Sequence, residues 1–130
     1  HNMDNNDLVP GFNDEKDGSL EIFLSKIEGT SNSILVTLSG YIDTYNSTYF
    51  QKQAAKIISA GFKNIVFNCQ NLTYVSSTGI GSLTSIEKNA KAFSLNNIRI
   101  IICIILDFCI KYPWYSLFLE MMEKVFQRSR

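Results

Sequence analysis

The chain has 130 residues, 45% of them hydrophobic, enough for one domain with a full apolar core. Its formal net charge is zero, so bulk charge selects neither nucleic acid nor a membrane surface as a partner. The single histidine is His1, and Cys69, Cys103 and Cys109 sit in apolar runs without zinc-ligand spacing. These facts argue against a histidine-based catalytic centre and against a metal site, and they favour reduced thiols in a cytoplasmic protein.

Residues 1–18, HNMDNNDLVPGFNDEKDG, are polar and acidic with Pro and Gly; they read as a flexible N-terminal tail, with no signal peptide expected and the domain occupying 19–130. Five acids and one lysine fall in residues 1–19, which leaves the remainder at net +4. Leu20, Ile22 and Leu24 alternate with Glu21, Phe23 and Ser25, a strand period. EGTSN reads as a turn, and Ile34, Val36 and Leu38 of SILVTLSG give the second strand of a hairpin.

GYIDTYNSTYFQKQAAKIISAG comes next. Thr48 and Gln51 have capping-box spacing, Phe50, Ala54, Ile57 and Ile58 share one helical face, and Gly61 marks the stop. KNIVFNCQ is a short central strand. Ile80, Leu83, Ile86 and Ala90 make a second helical stripe, which SLNN ends. The run from Ile98 to about Leu106 is a β-branched strand. Only seven uncharged residues separate Arg99 from Asp107, against the roughly 20 that a membrane-spanning helix needs. Pro113 opens a last amphipathic helix with Trp114, Leu117, Phe118, Met121, Met122, Val125 and Phe126 on one face. The order β-β-α-β-α-β-α predicts an α/β domain with a mixed sheet of four strands, or five, and helices largely on one face.

The motif that carries chemistry is NLTYVSSTGIGSL, where Ser76, Ser77 and Thr78 crowd one turn ahead of the second stripe. One hydroxyl, of Ser77 or Thr78, suffices to cap that helix. A nucleophile elbow needs flanking glycines and a base, and a P-loop needs Gly-Lys-Ser/Thr; both are missing, as is a dinucleotide fingerprint. No cofactor is therefore expected. A phosphate written onto the hydroxyl fits the physics better. Free amides and the positive end of the helix dipole receive it, while about −1.5 to −2 charges appear where a partner would dock.

GYIDTYNSTYFQ and KNIVFNCQNLTYVSSTGIGSL resemble the STAS domain, in particular the bacterial anti-sigma factor antagonists. Gly40, Ile42 and Asp43 match the family's first turn, and Ser77, Thr78, Gly79, Ile80 and Gly81 match its second. The resemblance implies a non-enzymatic regulator that binds a kinase-type anti-sigma factor, loses that partner when a serine is phosphorylated, and is reset by a phosphatase. Ser77 is the implied acceptor and Ser76 the alternative, since Ser76 stands where the family usually has Asp. The implied contact residues are Asp43, Thr44, Asn46, Ser76, Thr78, Gly79 and Ile80, with Ser82, Ser85, Lys88 and Asn89 on the exposed face of the second helix. Asp43 also suits a plain Asx turn. Two readings stand beside this one: a module that senses a small anion or nucleotide, and an unphosphorylated signalling scaffold. A homodimer that exchanges the C-terminal elements is a further expectation.

Overall fold

The computed structural model describes residues 4–30, 32–94 and 99–103, with backbone alone for 91–94 and 99–103. The expected helix from Pro113, the far end of the last strand, Cys109 and the exchange elements Trp114, Met121 and Met122 lie outside the described residues.

The described elements are α1 (Asn5–Leu8), a 3₁₀ turn (Phe12–Asp14), β1 (Leu20–Lys26), β2 (Ser33–Ile42), α2 (Ser47–Ser59), β3 (Asn64–Val75), α3 (Ser77–Ser94) and β4 (Arg99–Cys103). β1 pairs antiparallel with β2, and β2 pairs parallel with β3. These three strands are described in full. β4 joins the far side of β3 by parallel backbone pairing, giving the order β1-β2-β3-β4. The described residues hold no fifth strand.

Side-chain period decides the faces. Leu20, Ile22 and Leu24 of β1 and Ile34, Val36 and Leu38 of β2 are buried, whereas Glu21 and Phe23 are exposed. The buried face is covered by α2 through Phe50, Ala54, Ile57 and Ile58 and by α3 through Leu83, Ile86 and Ala90. Phe50 meets Phe67 of β3 edge to face with ring centroids 5.7 Å apart, a geometry that adds about 0.5–1.5 kcal/mol beyond area burial.

β3 runs past the expected end at Gln70 because it bulges twice. Its register against β2 shifts between Thr37 and Ser39 and again between Gly40 and Tyr41. Each shift inserts a residue, so the inward positions run Ile65, Phe67 and Cys69, then Leu72, then Val75. Thr73 Oγ1 donates to Gly40 O at 3.0 Å, satisfying the carbonyl at the second irregularity. Bulges bend a strand and re-aim the residues beyond them. Here the strand delivers Ser76 against Ile42, with the Ser76 amide donating to Ile42 O at 2.9 Å.

The expected flexible tail is a packed strap instead. Leu8, Val9 and Phe12 are buried in the main core. Asn5 bonds the outer edge of β1 like a missing strand: its Nδ2 donates to Ile22 O at 2.8 Å and its Oδ1 accepts from Leu24 N at 2.9 Å. Gln53 Nε2 of α2 donates to Phe12 O at 2.7 Å in the interior. Three apolar residues among acids and asparagines are enough to fix the segment, because β1 is an edge whose free backbone groups need cover.

Candidate functional site

The site is the corner where β2 and β3 end and α2 and α3 begin. The two helix starts solve the same problem, amides without intrahelical acceptors, in different ways.

At α2 the capping position is Asn46, not the expected Thr48, which lies inside the helix. Asp43 Oδ1 accepts from Tyr45 N at 2.9 Å and Asn46 N at 3.1 Å, the geometry of an Asx turn. Asn46 Oδ1 returns the bond by accepting from Asp43 N at 2.9 Å. Asn46 Nδ2 donates to Ser19 Oγ and to Tyr41 O, both at 2.8 Å. Asn46 is 1% exposed, so the expected role in partner contact does not hold for its side chain; it is the internal brace of the turn. Ser19 in turn bonds Asp17 through its hydroxyl and its amide, and these bonds hold the Asp17 carboxyl below its ordinary range. Gly40 has φ +114°, and a Cβ there would run into Ser19 O, so the strap end and β2 approach as only glycine allows.

At α3 the cap is Ser76, not Ser77 or Thr78. Ser76 Oγ accepts from Gly79 N at 3.1 Å, and Ser76 O accepts from Ile80 N at 3.0 Å. Ser77 is thereby displaced to the first helical position, where it is exposed and its hydroxyl has no partner among the described residues. Ser76 is half-buried and committed to the cap, so it is the poorer acceptor of the two. Thr78 is exposed, and its hydroxyl accepts from Thr44 Oγ1 at 3.3 Å, tying the two helix starts together. Gly79 is buried and cannot be larger: a Cβ would lie 2.8 Å from Val75 Cγ1 and 3.0 Å from Ile42 O. Ile80 is half-buried against the core.

The structure divides the expected helix face. Lys88 and Asn89 are exposed and Ser85 is half-buried, but Ser82 is 2% exposed. Its hydroxyl donates to Thr78 O and accepts from Gln51 Nε2, each at 3.1 Å, so Ser82 joins α3 to α2 rather than facing outward. A small hydroxyl that returns its proton to the preceding turn fits a close helix contact better than a surface. A groove of about 630 Å³ between residues 8–10 and α2 shares no lining residue with the corner.

Tyr45, inside the stretch Asp43 to Asn46 but not singled out by the sequence, is 94% exposed at the tip of the Asx turn. Its signal was a large aromatic set among turn formers, in Asp43-Thr44-Tyr45-Asn46. Ser19, which braces the corner from outside it, left no local signal, and Gln51, expected in a capping box with Thr48, instead donates to Ser82.

Comparison with known proteins bears on this arrangement. The STAS domain family profile matches residues 25–108, more than half of the chain. The chain belongs to the STAS domain family. An anti-sigma factor antagonist from Mycobacterium paratuberculosis has a similar fold, with a TM-score of 0.58 at 12% identity over 83% of each chain. The anti-sigma factor antagonist SpoIIAA in its unphosphorylated form superposes with a TM-score of 0.53 at 16% identity, over 72% of this chain and 83% of that chain. The phosphorylated form of SpoIIAA, a Bacillus cell fate determinant, gives 0.53 at 15% identity over 85% of this chain and 100% of that one. At such identities the likeness is one of fold. Among the described residues no helix is long and apolar enough to cross a membrane.

Proposed function

We propose that this STAS domain is an anti-sigma factor antagonist, a binding protein without a catalytic step of its own. It docks a kinase-type anti-sigma factor on the Asp43 and Ser77 corner, in the cytoplasm, and is released when Ser77 is phosphorylated. In that step Ser77 Oγ attacks the γ-phosphorus of ATP bound to the partner. The new O–P bond forms as the bond to ADP breaks, and the serine proton leaves to a base of the partner. A phosphatase restores the hydroxyl by hydrolysis.

The observation that carries this reading is the division of labour between two adjacent serines. Ser76 supplies the cap that α3 needs, so the Ser77 hydroxyl is surplus to the fold and open to solvent. A phosphate there meets the positive end of an 18-residue helix, an interaction worth about 0.3–1 kcal/mol to the modified fold. The docked partner instead meets about −1.5 to −2 new charges. Around the corner Asp43 is the sole charged side chain between residues 33 and 51, and residues 64–86 carry none. With Asp17 the other acid beside the corner, bonded to Ser19, the modification roughly doubles the negative charge there.

The test incubates the full chain with ATP, magnesium and the kinase-type anti-sigma factor of the same organism, and reads intact mass with and without Ser77→Ala. One added phosphate, absent in the variant, supports the switch. An unchanged mass within a stable complex points to an unphosphorylated scaffold. Thermal stabilisation by inorganic phosphate or nucleotide alone points to a sensor.

A further inference from the structure

The sparse charge at the corner, two carboxylates and no cation among the described residues, raises the question of what holds a partner there. Long-range attraction has little to act on beyond two carboxylates, both engaged locally: Asp43 by the Tyr45 and Asn46 amides, and Asp17 by Ser19, which itself bonds Asn46. Affinity must then come from apolar and aromatic burial. The corner is supplied for this. Tyr45 is 94% exposed, while Tyr41 at 40% and Tyr74 at 44% are register partners at the ends of β2 and β3. Tyr41 precedes Tyr45 by four residues, and Tyr74 precedes Ser77 by three.

Exposure alone would make these ordinary surface aromatics. What sets Tyr45 apart is the rigidity beneath it. Its amide is bonded to Asp43, and the residues on either side of it are held as well, Asn46 by its buried side-chain bonds and Thr44 through Thr78. A large side chain on a fixed backbone loses only its own rotamer freedom on binding, which is the condition for a strong interfacial anchor. Tyr also combines a broad apolar ring with one hydrogen-bonding tip, the chemistry enriched where partners bury an aromatic in a pocket.

We infer that Tyr45 is the anchor by which the kinase-type anti-sigma factor grips this domain. The ring inserts into an apolar pocket beside the partner's nucleotide cleft, Tyr41 and Tyr74 flank the contact, and Ser77 is thereby held at the γ-phosphate. The inference rests on the proposed docking role and assigns the residue on which that docking turns.

The experiment measures the dissociation constant of the full chain for the purified kinase-type anti-sigma factor, with ADP in place of ATP so that Ser77 stays unmodified. Tyr45→Ala weakens binding by about tenfold or more. Tyr45→Phe, which keeps the ring, stays within about threefold of wild type on the same scale. Phe23→Ala, which removes an accessible aromatic from the distant edge strand (52% exposed), leaves binding unchanged. Equal affinity of Tyr45→Ala and wild type, or equal losses at Tyr45 and Phe23, would overturn the inference while leaving the proposed function standing if wild type is still phosphorylated. Absence of both binding and phosphorylation in wild type removes the docking role, and the anchor with it.

Discussion

The starts of α2 and α3 lie side by side and share a threonine–threonine bond, yet one is closed and the other open. At α2 the side chains of Asp43 and Asn46 both find internal partners, and Asn46 is sealed from water. At α3 one serine holds the helix start and its neighbour holds nothing. The difference shows how a small domain keeps an exposed hydroxyl in place without depending on it for the helix start. Rigidity comes from Asn46 and Ser76, whose side chains are spent on internal bonds, and the exposed Ser77 hydroxyl is left with no partner among the described residues.

Breaking the closed side should have the largest effect. Asn46→Ala removes the side-chain partner of the Asp43 amide, the donor to Tyr41 O and one of the two partners of the Ser19 hydroxyl in a part-buried setting, and we expect a loss of about 2–3 kcal/mol in urea unfolding. Gly79→Ala comes next, at about 1–3 kcal/mol, because the new methyl meets Val75 and the Ile42 carbonyl; Gly81→Ala, with open space around it, should instead gain up to about 1 kcal/mol from helix propensity. The paired serines then sharpen the comparison. Ser76→Ala should cost about 1 kcal/mol in the same assay, whereas Ser77→Ala should stay within about 0.5 kcal/mol of wild type. The smallest effect is one of pH. Because hydrogen bonds from Ser19 hold the folded Asp17 carboxyl below its ordinary value of 3.8, its contribution is present above that value and disappears as pH falls through the folded one. The difference in urea midpoint between wild type and Asp17→Asn should therefore narrow steadily as pH drops from about 5 to below 3.

Strands β1 and β2 and the buried faces of α2 and α3 were legible in the sequence because each keeps one period throughout: two in the strands, and the i, i+3, i+4, i+7 family in the helices. β3 was legible only to Gln70. Its two inserted residues break the alternation, and a strand with inward positions at 65, 67, 69, 72 and 75 keeps no single period. The strap was hidden for a different reason: its composition is that of a disordered tail, and Asn5 acts through backbone groups 17 and 19 residues away. At the corner, the exposure of Ser77 and the Asx turn at Asp43 could be read from local spacing. The burial of Asn46 and Ser82 could not, since a polar residue beside a helix start looks the same whether it faces water or braces a neighbouring element.

The central claim is that, of three adjacent hydroxyls, the fold leaves Ser77 free for modification. Peptide mass spectrometry that locates the phosphate within residues 76–78, after reaction with ATP, magnesium and the kinase-type anti-sigma factor, addresses it most directly. The account predicts phosphate on Ser77 alone. Phosphate on the capping Ser76 or on Thr78, with Ser77 unmodified, would contradict it.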